Sequence, residues 1–113
     1  MPALFVKGRD ALKLLKSVAV NSFENFPHDR GKQFVACSPS GHLIADCILY
    51  RHGDDSFELV SGAPALNWVK YHAETDGHDV EVLLDQSFNL NTTGRRVRYR
   101  FELVGPTARQ IFD

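Results

Sequence analysis

Cysteine, long apolar runs and an excess of one charge are all scarce in this chain. Its 113 residues include two cysteines, one methionine and one tryptophan, and 13 Lys and Arg nearly cancel 14 Asp and Glu. A balance this close to neutral lacks the basic footprint of nucleic-acid binders and of proteins that sit on anionic membranes. No apolar run approaches the roughly 18 residues that a spanning helix needs. The first residues have neither the long apolar stretch nor the small-residue cleavage site of a signal peptide, so a cytoplasmic address is expected. Internal repeats and low-complexity tracts are also missing. What remains is a single domain of ordinary globular composition, long enough to bury a core.

The cysteines do not form a framework. With Ser40-Gly41 as a two-residue loop, Cys37 stands opposite Ile44. Cys47 then lies three residues further on, roughly 10 Å away at strand spacing. A disulfide needs Cα atoms within about 7 Å. Both cysteines are read as free thiols, and a pair at this spacing is no metal site.

The stretch from Ser38 to Tyr50 organises the rest. A turn cluster, Ser-Pro-Ser-Gly, feeds a run rich in Ile, Leu and Tyr that reads as a strand. Alternation puts Ile44, Asp46, Ile48 and Tyr50 on one face and Leu43, Ala45, Cys47 and Leu49 on the other. The second face is wholly apolar and suits packing against helices. Asp46 is the residue to explain, because a carboxylate in an apolar strand is costly to bury without a partner. Either it lies near an edge and meets water or a lysine, or it faces a flat heteroaromatic ligand with N–H groups.

The periodicity predicts a strand over Ala3–Lys7, a turn with Asp10 as N-cap, and a helix from Ala11 to Val18. Val20 to Lys32 is irregular, and Asn21 within it is a candidate turn former. Gln33 to Cys37 is a strand antiparallel to the Asp46 strand, with Gln33 opposite Ile48 and on the Asp46 face. Gln33 therefore either sits at a wet strand end or bonds a ligand. Arg51 to Asp55 reads as a polar turn in which His52 and the acids are solvated, and Phe57 to Gly62 as a third strand. Ala63 to Thr75 is the longest helix, with His72 packed or at its rim and Gly77 as a left-handed cap. Asp79 to Leu84 is a further strand, followed by a polar loop over Asp85 to Arg95. Val97 to Val104 alternates like a strand with an apolar and a charged face, and Gly105-Pro106-Thr107 starts a last helix. Arg98 and Arg100 belong to the charged face, which is either solvated and paired with Glu102 or set to hold a carboxylate. This order predicts an α+β fold, an antiparallel sheet with helices packed on one face in a ferredoxin-like split β-α-β arrangement.

The segment Gly41-His42-Leu43-Ile44-Ala45-Asp46-Cys47-Ile48-Leu49-Tyr50 resembles the corresponding strand of the glycine-cleavage T-protein (aminomethyltransferase) superfamily. Lys7-Gly8-Arg9-Asp10-Ala11 is similar to the family's opening strand-to-helix turn, and Asn67 to Glu74 to its second helix. Gly105-Pro106-Thr107-Ala108 is similar to the turn that starts its third helix. Asn21-Ser22-Phe23 and Gly31-Lys32-Gln33 resemble the tetrahydrofolate-dependent aromatic O-demethylase branch, as does Gln33 itself where the T-protein carries a tyrosine. The third strand ends in Gly62 where the T-protein has an asparagine, so one side-chain bond to the cofactor is lost.

The resemblance implies a tetrahydrofolate-dependent methyl or aminomethyl transferase. Its catalytic carboxylate is Asp46, and its cofactor contacts are Asp46, Ile48, Tyr50, Val60 and Gln33. Arg100 is its substrate-binding residue and no metal is required. The implied partner is a small-molecule methyl or aminomethyl donor, with an open sheet edge as a route to a homo-oligomer. Family members run several times longer, so residues 1–113 are expected to be a fragment of the folate-binding domain that is inactive alone. The alternative is a non-enzymatic ferredoxin-like module that binds folate or protein.

Overall fold

The computed structural model describes residues 1–113, the side chain of Phe88 excepted. The order is β1 (Ala3–Lys7), α1 (Ala11–Val18), β2 (Arg30–Cys37), β3 (Leu43–Gly53), β4 (Ser56–Val60), α2 (Ala63–Thr75), β5 (Glu81–Asp85) and α3 (Ala108–Phe112). The five strands form one sheet in the order β2-β3-β4-β1-β5, with every neighbouring pair antiparallel. β1 and β3 run the same way with β4 between them, so the fold is the expected split β-α-β with β2 added at one edge.

The core lies between the sheet and helices α1 and α2. In α1 the buried residues are Ala11, Leu14, Leu15 and Val18, one face of a helix at i, i+3, i+4 and i+7. In α2 they are Ala65, Leu66, Val69 and Ala73. They meet a cross-strand row of leucines, Leu84, Leu4, Leu59 and Leu49, flanked by Val6, Phe34 and Phe57. Leu59 is fully buried at the centre of this row. Truncating such a residue to alanine costs about 2–5 kcal/mol.

Asp10 occupies the N-cap position of α1, but its side chain makes no cap bond there. Its carboxylate instead accepts the Asp79 N–H at 2.8 Å and ties the start of α1 to the entry of β5. Gly8 allows this approach: its φ is +141°, and a Cβ there would stand 2.5 Å from the Asp79 carbonyl oxygen.

Residues 19–21 cover the outer edge of β2. Ala19 bridges to Ala36, and the Val20 N–H donates to the Val35 carbonyl at 3.0 Å. The Asn21 amide donates to the Gln33 carbonyl while its Oδ1 accepts the Val35 N–H at 3.1 Å. Asn21 thus acts as a short surrogate strand, not as a turn former. The β2 edge is thereby taken up from Gln33 to Ala36, and β5 forms the other edge of the sheet.

β3 runs through the expected polar turn as far as Gly53, because Arg51 pairs with Arg30 on one side and Phe57 on the other. Its guanidinium donates to the carbonyls of Phe26, Gly53 and Asp54 and lies 5.5 Å over the Phe57 ring. That network anchors the irregular stretch before β2. The strand expected over Val97–Val104 does not form. The Asp85 carboxylate accepts the N–H groups of Val97 (3.0 Å) and Arg98 (3.1 Å) and draws the chain across the sheet face instead of along an edge. Tyr99, Phe101, Leu103 and Val104 are left exposed, Phe101 almost completely. Among the described residues no helix is long and apolar enough to cross a membrane.

Candidate ligand-binding site

The sheet face away from α1 and α2 carries the residues that do not belong to the core. Register places Gln33, Ile48 and Val60 in one cross-strand row and Gly31, Tyr50 and Glu58 in the next, with Asp46 opposite Val35. A hollow of about 720 Å³ opens over this part of the sheet. Gln33, Asp46, Ile48, Tyr50 and Val60 all line it, together with Met1, Gly31, Lys32, Cys47, Ser61 and Gly62. The five residues singled out as cofactor contacts are therefore brought together at one place.

Asp46 is exposed on the wall of this hollow, not buried in an apolar strand. Its partner is an amide, not a lysine: Gln33 Nε2 donates to both carboxylate oxygens at 2.9 Å. The bond is diagonal, since Gln33 stands opposite Ile48 two positions along. One N–H of Gln33, shared between the two oxygens, serves Asp46, so Gln33 keeps its second N–H and its amide oxygen to offer a ligand. The pair presents mainly hydrogen-bond acceptors. Around it, Ile48 (49 % exposed) and Val60 supply apolar surface. Tyr50 supplies a ring whose position depends on Gly31, where a Cβ would stand 3.0 Å from Tyr50 Cε1.

Cys47 donates its thiol proton to Ser61 Oγ at 3.1 Å. Burial pushes this thiol above its ordinary value and the Asp46 charge adds to the rise, while the Ser61 hydrogen bond opposes it. It stays protonated at neutral pH and is no nucleophile. Both cysteines are free.

Arg100 lies outside this hollow. Its guanidinium sits on Glu58, which is 2 % exposed and also receives Arg98 Nε at 3.0 Å and His52 Nε2 at 2.7 Å. Arg100 is thus not a free fork waiting for a carboxylate, and its acid is Glu58, not Glu102. His52, expected to be solvated, is held by the same acid. These groups and Tyr50 border a smaller hollow of about 190 Å³. Sequence reasoning passed over Glu58. The available signal was an acid on the Val60 face of its strand, with two arginines spaced for one side of the distant segment. Among the described residues no group of three or more His, Cys, Asp or Glu is placed to hold a metal.

No family-wide sequence profile matches the chain. Individual proteins do. Over 98 % of its length the chain is 40 % identical to the syringate O-demethylase of Sphingobium sp. (strain NBRC 103272 / SYK-6), of which it covers 24 %. It is 31 % identical over 112 residues to the sesamin methylene transferase of Sinomonas sp. (strain No.22), of which it covers 22 %. It is 26 % identical over 117 residues to the aminomethyltransferase of Thermotoga petrophila, of which it covers 29 %. The fold is α+β, and over nearly its whole length the chain is similar to one segment of each of these three enzymes. The chain spans about a quarter of the length of the curated relatives it matches.

Proposed function

We propose that this chain forms the pterin-binding face of a tetrahydrofolate-dependent one-carbon transferase. The observation that carries the reading is the Gln33–Asp46 pair on the wall of a 720 Å³ hollow, with Ile48, Tyr50 and Val60 around it. A pair rich in acceptors, facing apolar and aromatic side chains, fits a flat heteroaromatic ring with N–H groups along one edge.

When bound, tetrahydrofolate supplies the ring nitrogen that carries or receives the one-carbon unit. Asp46 accepts an N–H of the ring, orients it, and holds or takes a proton as charge develops beside it. Gln33 fixes the Asp46 rotamer, and the backbone of Gln33 is fixed in turn by Asn21. Ile48 and Val60 exclude water from one side of the ring, and Tyr50 offers its face for stacking. Holding the reacting atoms in line then lowers the barrier without new covalent chemistry from the protein.

Similarity to a syringate O-demethylase favours methyl transfer from a methoxylated aromatic acid. Glycine-cleavage-type aminomethyl transfer is the neighbouring possibility. The donor is a small molecule whose binding residues we place in the part of the relatives that this chain does not match. Arg100 is given no substrate contact, because Glu58 engages it.

Titration of the chain with tetrahydrofolate tests the reading. Loss of a charge-assisted hydrogen bond in Asp46→Ala is expected to weaken binding about ten- to a hundred-fold. Unchanged affinity would remove Asp46 from the site and the reading with it.

A further inference from the structure

A second hollow, of about 370 Å³, lies on the helix side of the molecule. It is enclosed by the end of α1, the β2–β3 turn and the outer side of α2, and includes Val18, Val20, Pro39, Trp68, His72 and Asp76. Two of its residues hold buried polar atoms with no hydrogen-bond partner, Trp68 Nε1 and His72 Nε2. Leaving such an atom unpaired is costly, and folded proteins leave few.

The protonation of both atoms follows from their neighbours. His72 Nδ1 is 2.6 Å from Asp76 Oδ2. This hydrogen bond holds the Asp76 carboxyl below its ordinary value, so the group is ionised and only accepts. Nδ1 therefore carries the hydrogen, and with the ring in its neutral form Nε2 is an acceptor. Trp68 Nε1–H is a donor only. The two rings meet edge to face with centroids 4.6 Å apart, so the orphan donor and the orphan acceptor belong to one pair of contacting rings.

We infer that this hollow is a second binding site, for a small uncharged molecule that carries a hydroxyl group on an apolar body. One hydroxyl satisfies both atoms: its hydrogen goes to His72 Nε2 and its oxygen accepts from the indole. Val18, Val20 and Pro39 take up the apolar part. Asp76 stands at the hollow and neither Lys nor Arg lines it, which disfavours an anion. The volume is near the lower end of ligand sites, about 300 Å³, and calls for a molecule the size of a phenol. Both atoms are shielded from solvent, so seating the hydroxyl moves the indole. This site does not depend on the folate reading.

Trp68 is the single tryptophan of the chain, so its fluorescence and its indole N–H resonance report on this hollow alone. Phenol is expected to shift both saturably. Toluene lacks the hydroxyl and is expected to bind about ten-fold more weakly, as one lost hydrogen-bond pair implies. Benzoate is expected to give no saturable shift. Trp68→Phe, followed through the phenol signals, is expected to weaken binding by a similar factor. Equal responses to phenol and toluene, or no saturable response in the wild-type chain, would mean a hollow that holds water only and would overturn the proposal. A phenol response abolished by Asp46→Ala would place phenol in the other hollow, with the same consequence.

Discussion

Gln33 and Asp46 sit on the same face of a two-stranded ladder, one donating and one accepting, and the site is built on that asymmetry. Replacing the donor with a second acid reverses the interaction. Gln33→Glu sets two carboxylates side by side, and we expect tetrahydrofolate affinity to fall at pH 7 and to recover partly as the pair takes up a proton at lower pH. Gln33→Ala removes the orienting bond but leaves the charge, so its loss is expected to be several-fold smaller than that of Asp46→Ala. Titration calorimetry on the variants orders them. Among the thiols, Cys47 is buried and held protonated while Cys37 is partly exposed. A disulfide-exchange reagent at pH 8 is expected to modify Cys37 first, and faster labelling of Cys47 would contradict its placement. At this scale much was legible from sequence. Alternation alone put Asp46, Ile48 and Tyr50 on one face, and the hairpin count put Gln33 opposite Ile48. That register survives although the turn holds an extra residue, because a bulge between Ala36 and Cys37 absorbs it. Glu58 was harder to read than these, because its partners come from the neighbouring strand and from a segment some forty residues away.

The elements show where local pattern is enough and where it is not. α2 and β1 have the bounds that periodicity predicts, since each completes its buried face with contacts to its nearest neighbours. Val97–Val104 has an equally clear period of two, yet a strand also needs a hydrogen-bonding neighbour, and the buried carboxylates of Asp85 and Glu58 compete for the segment. Both acids are nearly inaccessible, so losing their partners is costly. Asp85→Ala removes the acceptor of two backbone N–H groups. Hydrogen exchange at Val97 and Arg98 is expected to speed up with little change in the amides of β1 and β4, whereas exchange rates equal to wild type would show that Asp85 does not hold the segment. β2 carries a different constraint. Gly31→Val would press a branched side chain on the Tyr50 ring, and the expected result is a displaced Tyr50, weaker tetrahydrofolate binding and an intact fold by circular dichroism.

The whole molecule is one sheet with two unlike faces. The helix-covered face stabilises the fold, and the other carries the hollow beside Gln33 and Asp46 together with the segment held by Asp85 and Glu58. The molecule's dependence on pH follows from two carboxyls away from that hollow, Asp10 and Asp76, and from the Cys47 thiol beside it. Asp10 is held below its ordinary value chiefly by the Asp79 N–H, and Asp76 chiefly by His72. Each is depressed in the folded state, so each adds stability above its unfolded value of 3.8 and loses it as pH falls through the lower folded value. Cys47 is raised above 9.0, so its burial favours the folded state less as pH rises beyond 9.0, where the unfolded thiol ionises first. Melting temperature is therefore expected to decline on both the acid and the alkaline side, and Asp10→Asn is expected to flatten the acid limb. The measurement closest to the central claim is the amide chemical-shift map of the chain titrated with tetrahydrofolate. The account predicts saturable shifts centred on Gln33, Asp46, Ile48, Tyr50 and Val60, and strongly weakened in Asp46→Ala. Shifts confined to other surfaces, or a map that Asp46→Ala leaves unaltered, would contradict it.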